Sequence, residues 1–214
     1  MKLKNNLLLA AGCGLLLLAS CQNPKEQIIG KWQVESFESP AADSMAKVRT
    51  KAIDTITKVD SSMAAFMGTY DLDSIKSVLK SHVEDYKQQQ KDMAALTSLA
   101  FFKDGLAVFY SGPQSDTNKW SIAGKDKLVL SPFSEAQRQA GAKEDTAIIE
   151  SISKGKLRLK INQGKNFMYA NLRTFTKEDS AKANEVLQKQ QQMMQEQIQK
   201  MQQMQQAQAA NKKS

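Results

Sequence analysis

Ala100-Phe101-Phe102-Lys103-Asp104-Gly105-Leu106-Ala107-Val108-Phe109-Tyr110 sets an Asp-Gly pair between two apolar runs rich in aromatic residues. Asp-Gly suits a tight turn whose backbone needs positive φ, so this stretch predicts two strands that fold back on each other. The same signature recurs downstream. Trp120-Ser121-Ile122 and Leu128-Val129-Leu130 flank a turn around Gly124-Lys125-Asp126. Thr146 to Ser153 turns at Lys154-Gly155 into Leu157-Arg158-Leu159-Lys160-Ile161, and Gln163-Gly164-Lys165-Asn166 leads into a last strand, Phe167 to Phe175. Upstream, Trp32, Val34 and Ser36 alternate with Lys31, Gln33 and Glu35, which reads as a strand with one buried face. Eight strands joined mostly by tight turns make an antiparallel meander. Such a set can close into a barrel whose interior fills with side chains or holds one small ligand.

Between Pro40 and Ser98 the strand pattern gives way to helical spacing. One helix is expected over Asp43 to Met67, carrying Val48, Ile53 and Ile56 and ended by Gly68. A second is expected from an N-cap at Asp73, with Ile75, Val78, Leu79, Val83 and Tyr86 on one face. Both ends of this insertion start from neighbouring strands at one rim. It therefore lies either on the outer wall or across the mouth as a ligand lid, in which Ile75, Leu79, Val83 and Tyr86 face an apolar interior. After the last strand, Thr176-Lys177-Glu178-Asp179 resembles a capping box with Asp in place of Glu. It opens a tail with Glu185/Lys189 and Glu196/Lys200 pairs and a thin apolar stripe of Leu187, Met194, Ile198 and Met201. A helix this polar is expected to project, dock lightly or pair with another chain, and to be dispensable for the barrel. The fold class is thus mainly β with α additions: an eight-stranded antiparallel barrel (28–39 and 98–176), a two-helix insertion after strand 1 (40–97) and a C-terminal polar helix (177–214).

Lys2 and Lys4 precede an apolar stretch from Leu7 to Leu18, the pattern of a secretory signal and too short to span a bilayer comfortably. It closes with Leu18-Ala19-Ser20-Cys21, which resembles the lipobox of bacterial lipoproteins. The resemblance implies removal of residues 1–20, a diacylglycerol on the Cys21 sulfur and a short tether over 21–27. Two or more acyl chains would hold the protein stably at a membrane. Cys13 leaves with the signal and Cys21 is capped, so no thiol remains for a disulfide, a metal or a nucleophile. Residue 22 is Gln, not the Asp that retains some lipoproteins at an inner membrane, and no acidic cluster follows, so an outer-membrane protein facing the periplasm is expected. Loss of Lys2 and Lys4 lowers the formal charge from +8 to +6, which favours anionic lipid or polymer; export removes nucleic acid as a partner.

Gly30-Lys31-Trp32, Phe102-Lys103-Asp104-Gly105, Trp120 and the Leu157/Leu159 strand resemble the lipocalin-like domains of bacterial lipoproteins. The resemblance implies that Trp32 closes one end of the barrel and that Arg173 packs over its indole as a cation–π partner. It implies binding of a small hydrophobic ligand or an envelope component. The alternative is a structural or assembly protein with a filled barrel, in which the C-terminal helix mediates protein contacts. Fatty-acid-binding proteins, similar in general plan, also insert two helices after the first strand.

Nothing in the sequence points to catalysis, to a cofactor or to a metal. His82 is the single histidine, and neither a second His, a free Cys nor a Gly-x-Ser-x-Gly stands beside it, so it reads as a helix-surface residue. No spacing of carboxylates argues for a hydrolase. Met193, Met194, Met201 and Met204 are soft donors that suit copper(I), but methionine is also an ordinary helix filler. Asp71 and Asp73 are too few for a calcium loop.

Overall fold

The computed structural model describes residues 23–211, with side-chain surroundings as far as Met204. A short helix α1 (Pro24–Gln27) leads into β1 (Gly30–Glu38); helices α2 (Pro40–Thr55), α3 (Ser61–Met67) and α4 (Leu72–Leu96) follow. Then come β2 (Thr97–Phe101), β3 (Leu106–Ser111), β4 (Gln114–Ala123), β5 (Lys127–Pro132), the helical turn α5 (Glu135–Gln139), β6 (Asp145–Ser153), β7 (Lys156–Gln163), β8 (Asn166–Thr174) and α6 (Lys177–Asn211). The strands close into a barrel in chain order, every neighbour antiparallel and β8 returning to β1. This is the expected lipocalin-like architecture, mainly β with helical additions. The Asp-Gly turn forms as its residues demand: Gly105 takes φ +85° and the Asp104 carboxylate accepts from the Leu106 amide at 3.1 Å.

Inward-facing residues build one core. Trp32, Val34, Leu99, Phe101, Trp120 and Leu128 are buried there, joined from the far wall by Leu157, Leu159, Ala170 and Leu172. Phe101 meets Trp120 edge-on at 5.5 Å between ring centroids. At the end where β1 begins, here the base, α1 packs on β4 and β6 and buries Ile28 completely. The Trp32 indole N–H donates to the Ile28 carbonyl at 2.7 Å, and the Trp120 indole N–H to the Phe102 carbonyl at 2.9 Å. Both buried ring nitrogens are thereby satisfied, and the base is plugged.

The alternation read for β1 keeps its facing only through Val34, and its wet face already fails at Gln33, which is buried. Pairing with β8 slips between Val34 and Ser36, so Glu35 is an extra residue. The bulge brings Phe37 onto the core, while Ser36 accepts from the Asn171 amide at 3.0 Å. Beyond Gln33, β1 no longer pairs with β2. The last turn of α4 fills that gap: Ala94 joins the barrel core, and the buried Gln33 side chain donates to the Ala94 and Thr97 carbonyls at 2.8 and 2.9 Å. They lie at the end of α4, where carbonyls run short of intrahelical donors, and the Ala94 carbonyl also accepts from the Thr97 amide.

The insertion holds three helices rather than two. Ile56-Thr57-Lys58-Val59, with three β-branched residues in four, interrupts the expected helix, and Asp60 restarts it by accepting from the Met63 amide at 2.7 Å. The cap of α4 is Asp71, which accepts from the Ser74 amide at 2.9 Å; Asp73 lies in the first turn, where the helix dipole favours an acid. Ile53, Ala64, Ile75 and Val83 are buried yet stand apart from the barrel core.

Candidate functional site

The expected pairing of Trp32 with Arg173 is not what the strands allow. In the β1–β8 register Trp32 faces Thr174, and Arg173 faces Gln33. Side chains alternate across a sheet, so Arg173 emerges on the outer wall while Trp32 points inward. The base is closed by α1 instead, and near it Lys31 makes a cation–π contact on the outer wall, with its ammonium 3.7 Å from the Phe175 ring centroid.

Arg173 grips the start of α6. Its Nη1 donates to Asp179 Oδ2 at 2.8 Å, its Nη2 donates to Asp179 Oδ1, and its Nε lies 3.4 Å from Glu35. Asp179 also accepts from the Thr176 amide at 2.7 Å and from the Thr176 hydroxyl at 3.0 Å. The capping-box reading of Thr176 to Asp179 thus holds for its acid half, in which the carboxylate reaches back to the amide at the helix entrance. Hydrogen bonding from Arg173 first, and from Thr176 as well, holds the Asp179 carboxyl below the usual carboxylate range against the opposing effect of burial. The Arg173 guanidinium is held charged more firmly by the same contact.

From this clasp α6 runs along α4 to the opposite rim, where Leu187 Cδ2 would lie 3.3 Å from a Cβ placed on Gly112. Asp179 and Val186 are buried along the way. Beyond Leu187 every residue to Met204 is exposed, including Met193, Met194, Ile198 and Met201. The tail is therefore two things, a docked foot and a projecting arm.

The expected lid residues lie in the helical layer. Ile75 and Val83 are buried, Leu79 is half-buried and Tyr86 is 43% exposed. Val83 and Tyr86 line a shallow groove of about 220 Å³ together with Ala42, Met45, Ala46 and Arg49 of α2. Their stripe thus faces α2. The insertion packs chiefly on the β8–β1–β2–β3 side of the barrel, and the mouth itself is bordered by the half-buried Phe37, Phe109, Leu130 and Ile161. His82 is exposed. Among the described residues, no three or more His, Cys, Asp or Glu side chains converge as metal donors. Cys21, the expected lipidation site, lies outside the described residues.

Sequence reading missed three residues that organise this wall. Gln33 and Glu35 occupy the polar positions of an amphipathic strand, where nothing distinguishes a solvated side chain from one that caps a helix or forms a bulge. Ile28, at the base, was counted with the barrel, and only Asn23-Pro24, a cap and first residue suited to a helix, hinted at the plug it completes.

The fold defines an eight-stranded antiparallel lipocalin-like barrel with helical additions. Residues 74–172 match the model of a family described as lipocalin-like, from within α4 to Leu172 of β8; Gly30-Lys31-Trp32 lies outside the matched span. No curated protein matches the chain. Among solved structures it is similar to the crystal structure of a duf4847 family protein from Bacteroides vulgatus ATCC 8482, with 14% identity, coverage of 70% of this chain and 94% of that one, and a TM-score of 0.36. No described helix is long and apolar enough to cross a membrane.

Proposed function

We propose that this protein is a non-catalytic envelope lipoprotein, anchored through acylated Cys21, whose filled lipocalin-like barrel is a base that holds helices α2–α4 and α6 for contact with other envelope components. The observation that carries this reading is the packing of the interior. Two tryptophans, Phe101 and a layer of aliphatic side chains occupy the base half, with their ring nitrogens satisfied internally, so that half has no need of a ligand. A bidentate ion pair whose acid is buried, Arg173 with Asp179, fastens a helix to β8. The lipobox supports the anchor, and Gln22 supports an outer-membrane address facing the periplasm.

A second reading rests on the rim. Phe37, Phe109, Leu130 and Ile161 leave apolar surface half-open at the mouth, a border suited to part of a small hydrophobic molecule. Protein purified from envelopes and extracted with organic solvent decides between them. The scaffold reading expects no small lipid in molar proportion, together with acyl label on the chain that Cys21→Ala abolishes while leaving the precursor uncleaved. A stoichiometric extracted lipid moves the function to ligand binding, and a processed, membrane-retained Cys21→Ala protein removes the anchor.

A further inference from the structure

The two ends of the barrel differ in charge. Each hairpin turn at the plugged base presents a lysine: Lys103 between β2 and β3, Lys125 between β4 and β5, and Lys154 between β6 and β7. Lys127 and Lys156 begin the strands that leave two of those turns, and Lys25 lies on α1. All six are exposed; Lys156 lies 3.8 Å from Glu35, Lys177 and Glu178 at the start of α6 offset each other, and three further carboxylates, Glu26, Asp104 and Asp126, share this end. The opposite rim is balanced: the turn at 112–113 has no charged residue, 164–165 has Lys165, and 133–144 has two acids and two bases. An aromatic ring accompanies the lysines, since Phe102 is 45% exposed at the first of these turns.

The chain enters the domain at this same end. Asn23 caps α1, which is packed on β4 and β6. Only Gln22 separates Asn23 from Cys21 in the sequence.

We infer that the lysine-bearing base of the barrel docks on an anionic phospholipid bilayer, with Phe102 entering the interface. Lysines at the surface attract anionic headgroups, a partly exposed aromatic ring is favoured at the headgroup level, and a basic patch added to an acyl chain turns marginal attachment into stable attachment. The arm of α6 then points away from the membrane. Bilayer docking goes beyond the anchor reading and does not need it; the orientation of a lipidated molecule rests on both.

The test uses residues 22–214, which keep the whole buried core from Ile28 to Val186 and lack Cys21, so its outcome is independent of acylation. Flotation with phosphatidylcholine vesicles is measured with and without phosphatidylglycerol. Binding is expected only with phosphatidylglycerol, and it should fall as salt is raised through the physiological range. The combined Lys103→Glu, Lys125→Glu and Lys154→Glu variant should partition about a hundred-fold more weakly or worse. Lys143→Glu with Lys165→Glu at the other rim should stay within about two-fold of the parent, because those charges lie beyond the screening distance from the bilayer. Should the triple variant lose its circular dichroism spectrum, the salt release of the unsubstituted protein still decides. Equal binding to neutral vesicles, no binding to anionic ones, or an equal loss in the rim variant overturns the inference. Loss of acyl label with docking intact would remove the anchor alone.

Discussion

Asp179 both fastens α6 to the barrel and caps that helix, so its substitutions separate the two roles. Asp179→Ala loses the bidentate contact with Arg173 and the acceptor for the Thr176 amide, and urea denaturation should show a loss of about 2 kcal/mol. Asp179→Asn keeps an acceptor at the helix entrance and should lose about half as much. The pH dependence follows from the depressed pKa of this carboxyl. Its contribution is complete above the ordinary carboxylate range and is lost as pH falls through the lower folded-state value. Hydrogen exchange over residues 177–187 should therefore stay protected at mildly acidic pH and open only in strong acid, a transition that Asp179→Asn removes. Gln33 works similarly for α4. Gln33→Leu would leave the Ala94 and Thr97 carbonyls without this donor in a buried setting and should cost about 1–3 kcal/mol, read as faster exchange at the last turn of α4.

Among the elements, α6 divides at Leu187. Removal of residues 189–214 takes away only the projecting arm and should leave the melting temperature nearly unchanged, whereas removal from Lys177 onward also strips Val186 and the Asp179 clasp and should lower it clearly. A single melting temperature shared by both truncations would contradict this division. The sequence suggested a wholly dispensable tail because Leu187, Met194, Ile198 and Met201 form one stripe; only the wall reached by its first turns distinguishes Leu187 from the rest. The strands were legible in number and order, since a two-residue period and glycine-bearing turns are local signals, although β4 begins at Gln114, well before the Trp120-Ser121-Ile122 run that marked it. The bulge at Glu35 was not, because it depends on how β8 pairs. The split of the first insertion helix was legible in principle from Ile56-Thr57-Lys58-Val59, whose β-branched residues oppose a helix.

For the molecule as a whole, the sequence carried the barrel and left open what fills it. An alternating strand tells which side chains point inward, and it does not say whether eight inward-facing sets meet across the axis. Here two tryptophans, Phe101 and α1 with Ile28 complete that meeting at the base. The Trp32–Arg173 closure was misread for a related reason: residues near each other on paired strands can stand on opposite faces, and the register decides. The helices likewise find their apolar partner in one another, with Val83 beside α2, so the insertion stands at the side of the mouth. The central claim is that the barrel is a filled base. Its most direct test is an equilibrium titration of residues 22–214 with an environment-sensitive apolar dye. A filled interior gives no saturable site and no difference between the parent and Phe109→Asp; a single saturable site that Phe109→Asp abolishes would contradict it.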